Sequence, residues 1–248
     1  MKNVVLPGHP ERSLAFYLAM EEVVARKYEG EAFFVWRVAP TVIIGRNQVL
    51  ENEVNLDYCS RHGVELVRRR SGGGCVYSDK GNIMISYISR RGDVNDVFER
   101  YLSSLTRVLR SIGLPAEKSG RNDVLVGGRK ISGNAFHMLP DRSIIHGTLL
   151  YSTDMDALAE SIRPPVEKLA RHGVESVRQR VVNVSEIVRT MDDPHPALRS
   201  VEALESYLVE YFTDGTIVLG EDDIADIIRD ASSMSLGDSH VRGKQNNV

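Results

Sequence analysis

An α+β fold, with a mixed, largely antiparallel sheet and packed helices, is what this sequence predicts, and three observations carry that expectation. Short β-branched and aromatic runs cluster along the chain instead of alternating strictly with helices. Gly127-Gly128 separates two such runs as a hairpin turn does. The stretch 96–112 places Phe98, Tyr101, Leu102, Leu105, Leu109 and Ile112 at helical spacing, a stripe that needs a sheet or another helix to cover it.

The elements follow in order. Residues 12–27 read as a helix with Leu14, Tyr17, Leu18 and Val24 on one face, and residues 31–38 and 41–45 as strands around Pro40. A short helix over 54–62 ends at Gly63, where a left-handed residue stops a helix. A strand over 64–69 then runs into Arg68-Arg69-Arg70-Ser71-Gly72-Gly73-Gly74. After Cys75-Val76-Tyr77 and the turn residues Ser78-Asp79-Lys80-Gly81 comes the strand-like run Asn82 to Ile88. Past the 96–112 helix, strands are expected at 122–126, 129–138 and 143–151, and a helix at 154–162 capped by Thr153. The Arg-rich connection 163–182, broken by Pro164-Pro165 and Gly173, reads as a mobile loop. Helices at 200–212 and 221–231 follow. The expected organisation is one domain over 1–236 and a polar, disordered tail over 237–248.

Composition bounds the function. The chain has 248 residues, enough for a substantial core, and a formal charge of −3, which argues against broad nucleic-acid binding. No run approaches the roughly 20 apolar residues of a membrane span, and a signal-peptide pattern is absent, so a cytoplasmic protein without a membrane partner is expected. Two cysteines, Cys59 and Cys75, offer neither a disulfide framework nor metal-ligand spacing.

The chemistry-bearing segment is the arginine and glycine run. Consecutive glycines let a backbone approach a ligand without Cβ obstruction, and their amides can form an anion-binding nest. A strand rather than a helix follows them, so neither the dinucleotide fingerprint nor the P-loop fits. A plain hairpin turn beside a solvated arginine edge is the competing reading. About fifty residues later comes Asn122-Asp123-Val124-Leu125-Val126-Gly127-Gly128-Arg129-Lys130-Ile131-Ser132-Gly133, which offers a cation, a carboxylate and an amide.

Five ordered segments resemble the lipoate-protein ligase A family of the biotin/lipoate ligase superfamily. They are Ile44-Gly45-Arg46-Asn47-Gln48, the Arg-Arg-x-Ser-Gly-Gly-Gly run, Gly120-Arg121-Asn122-Asp123, Lys130-x-Ser-Gly-Asn-Ala135, and His146-Gly147-Thr148-Leu149-Leu150. The likeness covers roughly residues 10–215. It includes the stretch Lys168 to Asn183, which is similar to the loop that family members close over an adenylate intermediate.

The resemblance implies a biotin/lipoate ligase catalytic-domain fold. The activity implied joins lipoate or octanoate to a lysine of a small carrier domain, through an acyl-adenylate made with ATP and Mg²⁺. The carriers would be of the dehydrogenase E2 or glycine-cleavage H protein type. Lys130 becomes the catalytic cation, and Asp123 the Mg²⁺ ligand. Arg69, Ser71, Gly72, Gly73, Gly74, Cys75, Val76, Tyr77, Asn122, Asp123, Lys130, Ser132, Gly133, Ala135, His146 and Gly147 become the ATP and lipoate site. Within it, Arg69 is placed on phosphate or acyl carboxylate, with Arg68 and Arg70 on the opposite face.

Two departures qualify the transfer. Ser78 stands where many relatives carry histidine, and the chain reads as a short form without the C-terminal accessory domain, so a separate accessory protein is a further expected partner. The rival readings are a cysteine-dependent octanoyltransferase using Cys75, a noncatalytic lipoate-binding module, and a biotin ligase.

Overall fold

The computed structural model describes residues 1–8, 11–120, 122–162, 180–234 and 236. The expected tail at 237–248, Arg121, and most of the expected loop, 163–179, lie outside the described residues.

β6 (Asn82–Arg90) and β10 (Arg142–Leu150) pair antiparallel over nine residues and form the centre of the molecule. Almost every side chain of both strands is buried, because helices cover both faces of the sheet. Around them runs an eight-stranded sheet. Its remaining strands are β1 (Lys2–Val5), β2 (Ala32–Trp36), β7 (Ala116–Ser119), β8 (Asp123–Val126), β9 (Arg129–Met138) and β11 (Thr216–Val218), in the order β11-β1-β2-β6-β10-β9-β8-β7. β1 is parallel to both β2 and β11; the other pairings in this sheet are antiparallel. A second sheet, β4-β3-β5, consists of β3 (Thr41–Ile44), β4 (Glu65–Arg68) and β5 (Val76–Ser78).

Strand alternation sends successive side chains of β6 and β10 to two different cores. Ile83, Ile85, Tyr87, Ile145 and Leu149 join α4 (Val94–Ser111), the helix expected over 96–112. Met84, Ile88 and Ile144 join α1 (Leu14–Lys27). α1 is buried along most of its length and so shows little amphipathic contrast; α4, with one solvent face, shows much more. Ser13 caps α1 by accepting from the Phe16 amide, and Asp93 caps α4 from the Asn95 amide.

The sequence expectations need three adjustments. The helix expected over 54–62 is α3 (Leu56–His62), which Gly63 ends at φ 63°, and a separate four-residue helix, α2 (Leu50–Glu53), precedes it unforeseen. α5 (Met155–Ser161) is capped by Asp154, not Thr153, whose backbone instead exchanges hydrogen bonds with the Asn183 side chain. β1, β7, β11 and α6 (Val184–Val188) are too short for periodicity to reveal. α7 (Val201–Phe212) and α8 (Glu221–Ala231) match the expected helices, and α8 packs on α1. Among the described residues no helix is long and apolar enough to cross a membrane.

Candidate active site

A register shift in the sheet sets the orientation of Lys130. Across β8 and β9, Val124 faces Ser132 but Leu125 faces Lys130, which leaves Ile131 as an extra residue. In a regular strand Lys130 would share the face of Ser132 and Asn134, towards α4. The bulge gives that direction to Ile131, which is fully buried in the α4-side core. Lys130 is re-aimed across Gly133, where a Cβ would meet its Nζ at 2.5 Å. Its ammonium lies 2.8 Å from Asp123 Oδ1, and both side chains are about one-third exposed. The Lys130 carbonyl is held by the Val182 amide at 3.0 Å, so the chain emerging from residues 163–179 is fastened beside the lysine.

The turn carrying Asn122 and Asp123 is fixed to the same strand. Asn134 donates from its backbone amide and from Nδ2 to the Asn122 carbonyl, at 3.1 and 2.8 Å. Asn122 Nδ2 returns a hydrogen bond to the Asn134 carbonyl. Gly147 makes room for this lock, since a Cβ there would sit 1.9 Å from Asn134 Oδ1. Sequence reasoning quoted Asn134 within a motif but gave it no role. Ser132 is fully buried and accepts from Asn134 Nδ2 at 3.2 Å, so Ser132 and Gly147 serve the α4 side of the sheet and do not join Lys130 and Asp123.

The glycine loop is held from beneath by Arg69. This side chain is 5% exposed and donates from Nε and Nη2 to the Gly72 carbonyl at 3.1 and 2.8 Å, and from Nη2 to the Gly74 carbonyl at 2.7 Å. Burial pulls its guanidinium down to about 10, still cationic at neutral pH. The sequence placed Arg69 on phosphate or carboxylate; its donors are turned to the loop's own carbonyls. Gly72, Gly73 and Gly74 are themselves exposed. Gly45 is needed below them, because a Cβ there would lie 2.1 Å from the Gly73 carbonyl oxygen.

Arg68 and Arg70 do not share one destination either. β4 ends at Arg68, so regular alternation ends with it. Arg68 Nη1 donates to the Gly45 and Gln48 carbonyls at 3.1 and 2.8 Å. Arg70 instead ion-pairs with Glu22 of α1 and donates to Ser233 Oγ at 3.1 Å.

A buried polar chain lies on the α1 side of the sheet. Trp36 Nε1 donates to Ser86 Oγ at 2.8 Å, and Ser86 donates to Glu21 Oε1 at 2.6 Å. The other Glu21 oxygen is 3.0 Å from His146 Nδ1, and His146 Nε2 is 2.7 Å from Ser71 Oγ. A carboxylate at Nδ1 keeps a proton there, so Nε2 of the neutral ring accepts from the Ser71 hydroxyl. Glu21, Glu22, Arg69, Arg70, Ser71, His146 and His137, with Leu18 and Met234, line a small cleft. Burial alone would raise the Glu22 carboxyl, but His137 and Arg70 outweigh it and hold it below the usual range. Glu21 and Glu22 escaped the sequence reading, although Glu21 falls three residues after Leu18, on the helix face expected to be apolar.

Ala135 pairs with His146 and Gly133 with Thr148, so Gly133, Ala135 and the cleft share the face carrying Lys130 and Asp123. Cys75, Val76 and Tyr77 follow the glycines into the second sheet, with Tyr77 in the core formed with α3 and α5. Burial pushes the Cys75 thiol up to about 12, the reverse of what a nucleophile requires. No group of three or more His, Cys, Asp or Glu side chains able to cage a metal is found among the described residues. The single accessible carboxylate of Asp123 does suit Mg²⁺ delivered on a polyphosphate, because that cation is commonly held by one or two carboxylates together with phosphates.

Comparison with known proteins identifies the family. Residues 13–213 match the family model of the lipoyl protein ligase A/B catalytic domain. The chain is 38% identical over 180 residues to lipoate-protein ligase 1 of Staphylococcus aureus, a match covering 71% of this chain and 54% of that protein. It thus spans about half the length of that relative. A bi-partite lipoate protein ligase of Thermoplasma acidophilum, studied with its E2 lipoyl domain, superposes with a TM-score of 0.79 at 26% identity, covering 93% of this chain and 91% of that one. A lipoate-protein ligase A bound with ATP superposes with a TM-score of 0.76 at 25% identity, covering 93% and 94%. The match across residues 13–213 places this chain in the lipoyl protein ligase A/B catalytic-domain family.

Proposed function

We propose that the chain is an ATP-dependent lipoate-protein ligase or lipoyltransferase, with residues 1–236 as its catalytic unit, that acylates a lysine of a lipoyl carrier domain. One observation carries the reading. Lys130 and the cleft at His146 lie on one sheet face, separated by the stretch of β9 from Lys130 to Ala135, roughly 15 Å of strand. A substrate with its carboxylate beside Lys130 and its far end in the cleft is therefore an elongated acid. Lipoate and octanoate have that shape.

In the reaction, a carboxylate oxygen attacks the α-phosphorus of ATP, the bond to the β-phosphate oxygen breaks, and pyrophosphate departs. The carrier's neutral amine then attacks the acyl carbonyl; AMP leaves with the bonding electron pair, and the amine loses a proton. Lys130 places a fixed positive charge where negative charge develops on phosphoryl and carbonyl oxygens, while exposed backbone of Gly72–Gly74 borders the phosphates. Asn134 orients the Asn122-Asp123 turn towards this centre. Asp123 would hold Mg²⁺, which supplies charge neutralisation on the polyphosphate. Arg69 shapes the loop rather than touching substrate, and Cys75 packs against the core of the second sheet.

The bi-partite character of the Thermoplasma acidophilum protein supports a separate accessory protein as a second partner. The decisive experiment incubates the purified chain with ATP, Mg²⁺, lipoate and an apo-lipoyl domain and follows pyrophosphate and carrier mass. Product from the chain alone establishes a self-sufficient ligase; transfer from presynthesised lipoyl-adenylate only assigns activation to a partner. Failure of both refutes the proposal. The thioester alternative has its own test: Cys75→Ser is expected to retain ATP-dependent transfer, and iodoacetamide to label Cys75 slowly at pH 8, where its thiol is protonated. Complete loss of transfer would restore the cysteine route.

A further inference from the structure

The cleft is walled on one side by a part of the chain remote from every motif. Of its lining residues only Leu18 and Met234 are apolar. Leu18 belongs to α1, but Met234 follows α8 and is 3% exposed. The segment carrying it is built as a strap. The Met234 carbonyl accepts from the Arg68 amide at 3.1 Å, and the Leu236 amide donates to the Leu66 carbonyl at 3.1 Å, so the strap runs along β4.

Charged contacts hold the preceding helix, α8, against α1, and one of them reaches Ser233 beside Met234. Arg70 joins Ser233 to Glu22, while Arg26 pairs with Asp230 at 2.5 Å and Lys27 with Asp223 and Asp226 at 2.9 and 2.7 Å. Tyr28 donates to Asp223 at 2.6 Å. Met234 thus follows a helix anchored on α1, and its side chain is of the unbranched, adaptable kind. A thioether adjusts to irregular apolar shapes and is polarisable enough to suit a sulfur-containing ring as well as a methylene chain.

We propose that Met234 is a specificity-determining residue, forming the end wall that limits how long an acyl chain the cleft accepts. This rests on the acyl-cleft reading given above. Leu18 is locked in a helix between the sheet and α8, so Met234 is the lining apolar group whose size can change without displacing a core helix. Shortening it deepens the cleft; enlarging it to an aromatic ring makes it shallower.

The test uses the full chain with an apo-lipoyl domain and presynthesised hexanoyl-, octanoyl- and decanoyl-adenylates in competition, which removes any need for an accessory protein. Met234→Ala is expected to raise the decanoyl-to-octanoyl ratio by about tenfold, the scale set by one or two methylenes in an apolar pocket. Met234→Phe is expected to shift preference towards hexanoyl, and the near-isosteric Met234→Leu to keep the wild-type ratio. Thermal melts accompany each variant, and if Met234→Ala does not fold, the Phe and Leu variants carry the comparison. Folded variants with unchanged ratios overturn the proposal while the ligase reading stands. Absence of transfer by the wild-type chain from any of the three adenylates overturns both.

Discussion

Lys130→Ala lowers acyl-adenylate formation and transfer by about 10²- to 10³-fold, the scale for removing one preorganised charge or donor at a developing oxyanion. The melting temperature is expected to change little, because the Lys130–Asp123 pair is about one-third exposed and such pairs contribute about 0–1 kcal/mol. This separation of activity from stability distinguishes a catalytic cation from a structural one. Lys130→Arg is expected to rescue poorly, since the larger planar guanidinium does not fit over Gly133, where Nζ already occupies the space of a Cβ. Single-turnover pyrophosphate release, compared with carrier acylation from presynthesised adenylate, shows whether both steps suffer. Activity within threefold of wild type in both would remove Lys130 from the mechanism.

Arg69→Met should have the second-largest effect, of a different kind. The substitution keeps an apolar stem but deletes the forked donors that tie Gly72 and Gly74 together. Hydrogen bonds from a charged donor contribute about 1.5–3 kcal/mol each, and the glycine carbonyls regain some water, so a net loss of about 2 kcal/mol is expected in urea unfolding. Nucleotide affinity should fall more than stability implies, since the loop amides lose their common orientation. Arg69→Lys does not restore it, because one ammonium cannot reproduce the planar fork. A variant that keeps both unfolding midpoint and nucleotide affinity would show that the loop supports itself.

α4 was legible because one face meets a core and the other meets water, which is the condition for a helical stripe. The glycine run was legible as a loop between two strands, whereas the need for Gly45 beneath the Gly73 carbonyl was not, because it depends on how that loop folds back. Arg69 was not, because a run of three arginines does not say where β4 stops, and side-chain direction after a strand end no longer alternates. The bulge at Ile131 was equally hidden: it depends on how β8 and β9 pair, and alternation alone would have turned Lys130 towards the core. Glu21 was lost within an apolar helix, where its burial is satisfied by Ser86 and His146 from strands far away in sequence.

The parallel pairing at one margin of the large sheet has a consequence for how the molecule comes into being. Asn3 lies beside Thr216 and Val5 beside Val218, so β1 waits for the much later β11 before its outer side is occupied. Contacts of such separation are slow to form, and synthesis at roughly 5–20 residues per second imposes its own delay. During that interval β1 presents unpaired amides and carbonyls to solvent, a template for unwanted strand addition. Chaperone dependence and aggregation in this protein should therefore concentrate in nascent chains that stop short of β11.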